Sequence, residues 1–202
     1  MKERPILFSS EMVRAILNGR KTQTRRVVKP QPKYRENAAV PGKFGTFLKS
    51  GWNLDHPIVK PEDYQNDCPY GIPGDRLWVR ESFTPRYFDD GKVGYKADWT
   101  SGAAEYVSEP KWKPSIHMPR LLSRITLEIT NVRVERVDDI SENDAEAEGV
   151  GAWSSSGNSA KWKFQSLWDR INGKTYPYES NPWVWVIEFV KIRGEHNQKK
   201  RA

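Results

Sequence analysis

The chain has 202 residues, of which 37% are apolar and 12% aromatic, including nine tryptophans. Disordered chains are poor in aromatic residues, so this composition excludes disorder for most of the sequence, and the length suits one domain with sizeable insertions. The formal net charge of +7 favours an anionic partner, nucleic acid first, although many basic domains are simply well solvated.

Cysteine, histidine and apolar usage narrow the class of site. Cys68 is the only cysteine, which excludes an internal disulfide and a cysteine-rich zinc site. The three histidines are scattered without metal-ligand spacing, so we expect neither a metal nor a cofactor. The sequence shows no signal-peptide region and no long apolar run, so we expect no secretion, no membrane span and a cytoplasmic location.

The N-terminal region predicts a strand, a helix and a second strand. Residues 5–19 are typical of a short strand followed by a helix that begins at Ser9 or Ser10. Gly19 ends that helix, because glycine accepts the left-handed conformation beyond a last turn. The expected apolar stripe of this helix is Met12, Ile16 and Leu17. Residues 22–30 are rich in β-formers and predict an extended segment.

The middle of the chain predicts a long insertion between strands. Residues 31–74 are rich in Pro, Gly, Asn and Asp, and a segment of this length favours a functional or lid role. A Pro-Gly turn then leads into a strand in which Leu77 and Val79 are the apolar positions, and residues 93–98 predict a second short strand.

The C-terminal half contains the strongest periodic patterns. Residues 124–137 alternate as a long strand, residues 140–150 predict a compact helix capped by Ser141 and ended by Gly149, and residues 182–192 predict a final strand. Between them lies an amphipathic helix whose stripe is Phe164, Leu167, Trp168 and Ile171. The basic tail, 194–202, is expected to be disordered.

This order of elements favours one α+β domain over residues 1–193. Many strands with about three helices, in no regular alternation, indicate a mixed or antiparallel, barrel-like sheet with a few flanking helices, and not a doubly wound sheet. Long insertions are expected near 31–74, 84–115 and 150–162.

The stretch "GRKTQTRR" holds two residues that together suggest chemistry, Lys21 and Thr24. A threonine hydroxyl is a poor nucleophile until a base removes its proton, and a lysine can be that base if burial or nearby cations lower its pKa. The nearby cations are Arg20, Arg25 and Arg26. The same residues also suit a phosphate-binding loop or a solvated basic turn, and their spacing leaves all three interpretations open.

Two carboxylates stand out by position. Glu148 falls at the C-terminal end of its predicted helix, where a negative charge is unfavourable, and a neighbouring cationic site is one way to offset that cost. Glu146, two residues away, is the alternative. Glu81 lies in a strand between apolar neighbours, where it would either contribute to a site or pair with Arg80 or Arg76.

The segment before the long strand is a further candidate. Prolines bracket residues 115–118 and are expected to hold them extended. Ser115 and His117, followed by Arg120, would then present polar contacts to a pocket, or the segment would simply connect two elements.

These residues resemble the ASCH superfamily. "AILNGRKTQTRR" resembles the family's signature at the end of its first helix, "GDRLWV" its turn into the next barrel strand, and "VWVIEF" its closing strand. The resemblance is closest to larger phage and prophage ASCH proteins. It implies a small β-barrel related to the PUA domain of RNA-modifying enzymes.

The barrel elements also resemble the bacterial N4-acetylcytidine amidohydrolase. Its catalytic lysine and threonine match Lys21 and Thr24, its later glutamate matches Glu148 through "AEAEG", and Arg26 matches the signature arginine. The resemblance implies metal-independent removal of the acyl group from an N4-acylcytidine-type nucleoside or another small amide. Substrate contacts are expected from Arg26, Glu81, Ser115, His117 and Arg120. RNA binding without catalysis and ribonuclease activity are the alternatives that the family also offers.

Overall fold

The computed structural model describes residues 1–31, 67–85, 92–99, 110–151 and 159–192. Most of the insertion predicted over 31–74, residues 32–66, therefore lies outside the described residues. The tail at 194–202 and large parts of the insertions near 84–115 and 150–162 also lie outside them.

The described residues form seven strands and three α-helices. In chain order they are β1 (Glu3–Leu7), α1 (Ser10–Leu17), β2 (Gln23–Val27), β3 (Arg76–Arg80), β4 (Phe83–Thr84), β5 (Gly94–Tyr95), β6 (Thr126–Arg136), α2 (Glu142–Ala145), α3 (Ala160–Asn172) and β7 (Trp183–Ile192). The helix α2 continues directly into a π-helical turn, Glu146–Val150. None of these described helices is long and apolar enough to cross a membrane.

Five strands form one mixed sheet in the order β1-β3-β6-β7-β2. The pair β1 and β3 is parallel, the other neighbours are antiparallel, and β4 and β5 form a separate two-stranded sheet. The expected α+β class with a mixed sheet is confirmed.

The described strands do not close into the expected barrel. The two edge strands, β1 and β2, meet through a side chain, since Arg26 Nη2 donates to the Leu7 carbonyl at 2.7 Å. A closed barrel needs a backbone ladder at that seam, and none of the strand pairs among the described residues joins β1 to β2.

The long strand β6 keeps its apolar residues on one face by means of a bulge. Leu127, Ile129 and Val132 are all buried, although the last two are three residues apart. The pairing with β7 shifts between Ile129 and Asn131, which restores the alternation after the bulge.

Two apolar cores lie on opposite faces of the sheet. Alternate residues of β7 divide between them: Ile187 and Phe189 join the core beneath α1, and Val184 and Val186 join the core beneath α2 and α3. The first core also holds Ile6, Val13, Leu77 and Ile129, and the second holds Val137, Ile140, Phe164 and Trp168.

The helix stripes differ from prediction in part. In α3, Phe164 and Trp168 are buried and Leu167 is half-buried, but Ile171 is 51% exposed. In α1, Ile16 is buried and Met12 and Leu17 are half-buried against the first core, as predicted, and Val13 and Ala15 are buried beside them.

Candidate active site

A tight turn after α1 places Lys21. Gly19 has φ +72°, and the backbone N–H groups of Arg20 and Lys21 both donate to the Ala15 carbonyl, at 2.9 and 3.1 Å. The glycine permits the left-handed conformation that this cap requires. The chain therefore reverses within three residues and directs the lysine beneath the helix.

The π-helical turn packs directly against this reversal. The Thr22 N–H donates to the Ala147 carbonyl at 2.9 Å. Gly149 has φ +87°, and a Cβ added there would lie 2.8 Å from Ala15 Cβ and 3.0 Å from Lys21 Cβ. Both the backbone conformation and the close approach require glycine.

Lys21 and Glu148 form a buried ion pair. Lys21 Nζ donates to Glu148 Oε2 at 2.6 Å and to the Glu148 carbonyl at 2.8 Å. The lysine side chain is fully inaccessible and that of the glutamate is 4% exposed. Burial lowers the pKa of Lys21, and the charges of Arg26 and Arg25 lower it further, while Glu148 opposes the change.

The second oxygen of Glu148 is bound by Arg25. Arg25 Nη1 donates to Glu148 Oε1 at 3.2 Å, and its other nitrogens donate to Glu135 Oε1 at 2.9 and 2.5 Å. Each carboxylate oxygen of Glu148 thus has its own cation. This pairing offsets the unfavourable position of the charge at the end of a helical segment.

Arg26 approaches Lys21 from the other face of β2. Its guanidinium carbon lies 5.2 Å from the centre of the Phe8 ring, and Lys21 Nζ lies 5.6 Å from the same point. Successive residues of a strand face opposite ways, so Arg26 shares its face of β2 with Thr24. Thr24 is buried and lies opposite Ile187 of β7.

The structure therefore brings Lys21 and Glu148 into direct contact and places Arg26 at the Phe8 ring that Lys21 also approaches. Thr24 is buried in β2, and no hydrogen bond among the described residues joins it to Lys21. Of the two alternatives near the end of the helix, Glu148 contacts Lys21, whereas Glu146 is exposed.

Glu81 has a different partner from those expected. Both of its oxygens accept from Arg124, at 2.9 and 3.1 Å, in place of Arg80 or Arg76. Arg124 also binds Asp98 through two hydrogen bonds, at 2.6 and 2.9 Å. Burial raises the pKa of Glu81, since the carboxylate is only 1% exposed.

The segment before β6 is folded and not extended. Ser115 and His117 belong to a 3₁₀ turn, Ser115–His117, which Pro114 precedes. Arg80 binds the carbonyls of Ile116 and Met118, which holds the turn against the end of β3. His117 is exposed, and Arg120 pairs with Glu3 at the start of β1 at 3.0 Å. The structure does not bring these side chains to Lys21.

Sequence reasoning did not predict that Glu135 and Asp144 join Glu148 around Arg25. Arg133 of β6 binds Glu135, and it lies 3.4 Å from Asp144, which also accepts from Gln23 at 2.9 Å. Burial opposes ionisation of Asp144, but hydrogen bonds from Gln23 and Ser141 hold its pKa below the ordinary value. The available signal was the alternation of charged residues at 133 and 135 on one face of β6.

A groove of about 640 Å³ runs between α1 and α3, with residues 148–150 as its floor. Trp162 lines it with 53% of its surface exposed. The cations that line it are Arg14, Arg20, Lys163 and Arg170.

Within the described ranges, no cluster of three or more His, Cys, Asp or Glu side chains is arranged to hold a metal ion. No family model matches the chain, and no curated protein and no solved structure is significantly similar to it.

Proposed function

We propose that the chain is a metal-independent amidohydrolase of the ASCH type that removes the acyl group from N4-acylcytidine-type nucleosides, giving cytidine and acetate from N4-acetylcytidine. The observation that carries the proposal is the buried pair of Lys21 and Glu148, 2.6 Å apart, on the two segments that resemble the catalytic segments of such enzymes. A buried lysine whose pKa is lowered is suited to act as a general base.

Thr24 is the proposed nucleophile. Its Oγ1 attacks the acyl carbonyl while Lys21 Nζ accepts the hydroxyl proton, which requires the neutral amine. Arg26, or backbone N–H groups near it, stabilises the oxyanion of the tetrahedral intermediate. The C–N bond then breaks, and Lys21 returns the proton to the leaving exocyclic amine.

Water completes the cycle. With Lys21 as base, a water molecule attacks the acyl-threonine ester, releases acetate and restores the Thr24 hydroxyl. Glu148 holds Lys21 in place through both steps, since it receives two hydrogen bonds from Nζ through its carboxylate and its carbonyl.

The test is direct hydrolysis of N4-acetylcytidine, followed by chromatography of cytidine. We expect turnover by the purified chain, and a loss of about 10³-fold or more in Thr24→Val and Lys21→Met, with circular dichroism showing that both variants fold. An absence of cytidine across mildly acidic to alkaline pH would contradict the proposal.

A second candidate function, binding of single-stranded nucleic acid, is favoured by the groove between α1 and α3. Lys21 and Arg25 have no exposed side-chain surface, so the basic stretch itself cannot hold phosphates with these two residues. The groove instead places Arg14 and Arg20 beside the exposed Trp162, a combination of cations and a stacking platform that suits an unpaired strand.

Fluorescence anisotropy with a labelled single-stranded RNA tests this candidate. We expect affinity to fall steeply with salt, and to fall at least about fivefold in Trp162→Ala but little in Trp162→Phe. Arg20→Gln should weaken binding more than Lys2→Gln, which is the charge-matched control because Lys2 is exposed outside the groove. Flat salt dependence would reject binding, and cleavage of the RNA, measured with and without chelator, would indicate a ribonuclease.

A further inference from the structure

The carboxylate of Glu148 binds two cations, one through each oxygen. Lys21 Nζ binds Oε2 at 2.6 Å, and Arg25 Nη1 binds Oε1 at 3.2 Å. The arginine side chain is fully inaccessible, like that of the lysine. It lies on the face of β2 opposite Thr24, so it does not approach the proposed nucleophile.

The guanidinium group of Arg25 lies within ion-pair distance of three carboxylates. Besides Glu148 it binds Glu135 with Nε and Nη2, and its Nη2 lies 3.5 Å from Asp144 Oδ2. Its guanidinium also lies over the Phe164 ring, 5.7 Å from the centre. Its planar fork of donors can serve these partners at once, which a lysine at this position cannot do.

We propose that Arg25 is a positioning residue of the site. It binds Glu148 from the face of β2 opposite Thr24, fixes the carboxylate in place and weakens the attraction between this carboxylate and the Lys21 ammonium. The catalytic importance of this role rests on the proposed function. The physical basis is that a carboxylate shared with a second cation attracts the first cation less strongly.

The charged groups that face Lys21 among the described residues are few. They are Glu148 from the π-helical turn and Arg25 and Arg26 from β2; α1 contributes Ala15, and the end of β1 contributes the Phe8 ring. Removing the charge of Arg25 and removing that of its anchor Glu135 must therefore change the pKa of Lys21 in opposite directions.

The Arg25→Gln variant removes a neighbouring cation and leaves Glu148 to Lys21 alone. Both effects favour the ammonium, so the pKa of Lys21 rises. In Glu135→Gln, Arg25 loses its strongest anionic partner and draws Glu148 more strongly, so the pKa of Lys21 falls. Glu135 is 16% exposed, and glutamine keeps an oxygen that accepts from Arg25, so this variant retains the fold even if the first does not.

The experiment is an NMR titration of protein labelled with ¹³C at lysine Cε, with Lys21→Met identifying the signal. Glu188→Gln is the matched control, because Glu188 belongs to the same network but contacts Arg133 and not Arg25. We expect a rise in Arg25→Gln, a fall in Glu135→Gln and no change in Glu188→Gln. The acidic limb of the kcat/KM profile should move in the same directions.

The outcomes separate the two proposals. A Lys21 pKa that stays constant in the folded Glu135→Gln and Arg25→Gln proteins overturns the positioning role, even where the enzyme deacylates its substrate. An absence of turnover by the wild-type chain overturns the proposed function, and the titration still reports on Arg25 because it needs no substrate.

Discussion

The described part of the chain contains two glutamates that are almost equally buried but have different neighbours. Glu148 is 4% exposed and is bound by a lysine and an arginine, whereas Glu81 is 1% exposed and is bound on both oxygens by Arg124 alone. Arg124 is in turn bound by Asp98 and lies over the Tyr95 ring, 4.0 Å from its centre. Both carboxylates are buried, but only Glu148 has a partner, Lys21, that can lose its proton. We call Glu148, Lys21 and Arg25 the Glu148 cluster, and Glu81, Arg124 and Asp98 the Glu81 cluster.

The difference shows that burial alone does not identify a reactive carboxylate. An arginine stays charged at any physiological pH, so the Glu81 cluster has no proton to exchange with a substrate through its cation. A lysine pairs through a single nitrogen that can lose its proton when buried, and this makes the Glu148 cluster suited to acid–base chemistry. The Glu81 cluster is expected to act mainly on stability.

The largest expected effect is the loss of Arg124. Arg124→Met leaves Glu81 buried beside Asp98 without its cation, so the free energy of unfolding should fall by about 3–5 kcal/mol in urea denaturation. Lys21→Met leaves Glu148 bound by Arg25 and should cost less, about 1.5–3 kcal/mol.

A double variant distinguishes the cost of the unpaired buried charge from general misfolding. Adding Glu81→Gln to Arg124→Met removes the buried charge, so part of the lost stability should return. Equal costs for the two single variants, or a larger cost for Lys21→Met, would show that the two clusters do not differ as described.

The elements that carry both clusters were predictable, because they depend on local patterns. Ser9 accepts from the Met12 N–H at 3.3 Å as a cap, Gly19 ends α1 with a positive φ, and the alternation of β6 and β7 is visible in the sequence. Glu148 stands out in the sequence through its unfavourable place at the end of a helix. These signals each lie within about ten residues.

The pairing of Arg25 with Glu135 depends on long-range register. Arg25 lies opposite Val186 of β7, and Val186 lies opposite Arg133 of β6, so the arginine reaches Glu135 only when three strands align. The partner of Glu81 likewise comes from a segment 43 residues away. Charge pairs of this kind depend on packing between distant strands, which periodicity within one strand does not encode.

A smaller effect is expected where the π-helical turn meets Lys21. Gly149→Ala should lower the free energy of unfolding by about 2–4 kcal/mol, because it adds a contact with the lysine and Ala15 to the strain of a positive φ. Gly151→Ala is the matched control, since Gly151 has φ +86° but no atom within 4 Å of an added Cβ.

The control should cost only about 1–2 kcal/mol, the strain alone. The difference between the two variants, measured by thermal denaturation, isolates the packing of the turn on Lys21. If both variants cost the same, the close approach of Gly149 does not hold the Glu148 segment in place.

The smallest expected effect is on the pH dependence of stability, where the two clusters have opposite signs. Burial raises the pKa of Glu81 above its ordinary value of 4.5, so the folded chain holds this proton more tightly and stability falls as pH rises from 4.5 to the raised value. Burial lowers the pKa of Lys21 below 10.5, so the unfolded chain holds that proton more tightly and stability rises as pH increases from the lowered value to 10.5.

Each pH dependence of stability should disappear when the residue that causes it is replaced. Urea denaturation across pH should show that Glu81→Gln flattens the fall in stability above pH 4.5 and that Lys21→Met flattens the rise in stability below pH 10.5. If Lys21→Met leaves the alkaline slope unchanged, then the lysine is charged as freely in the folded chain as in the unfolded one. The cation of the Glu148 cluster would then hold its charge as firmly as the arginine of the Glu81 cluster, and the comparison would lose its chemical meaning.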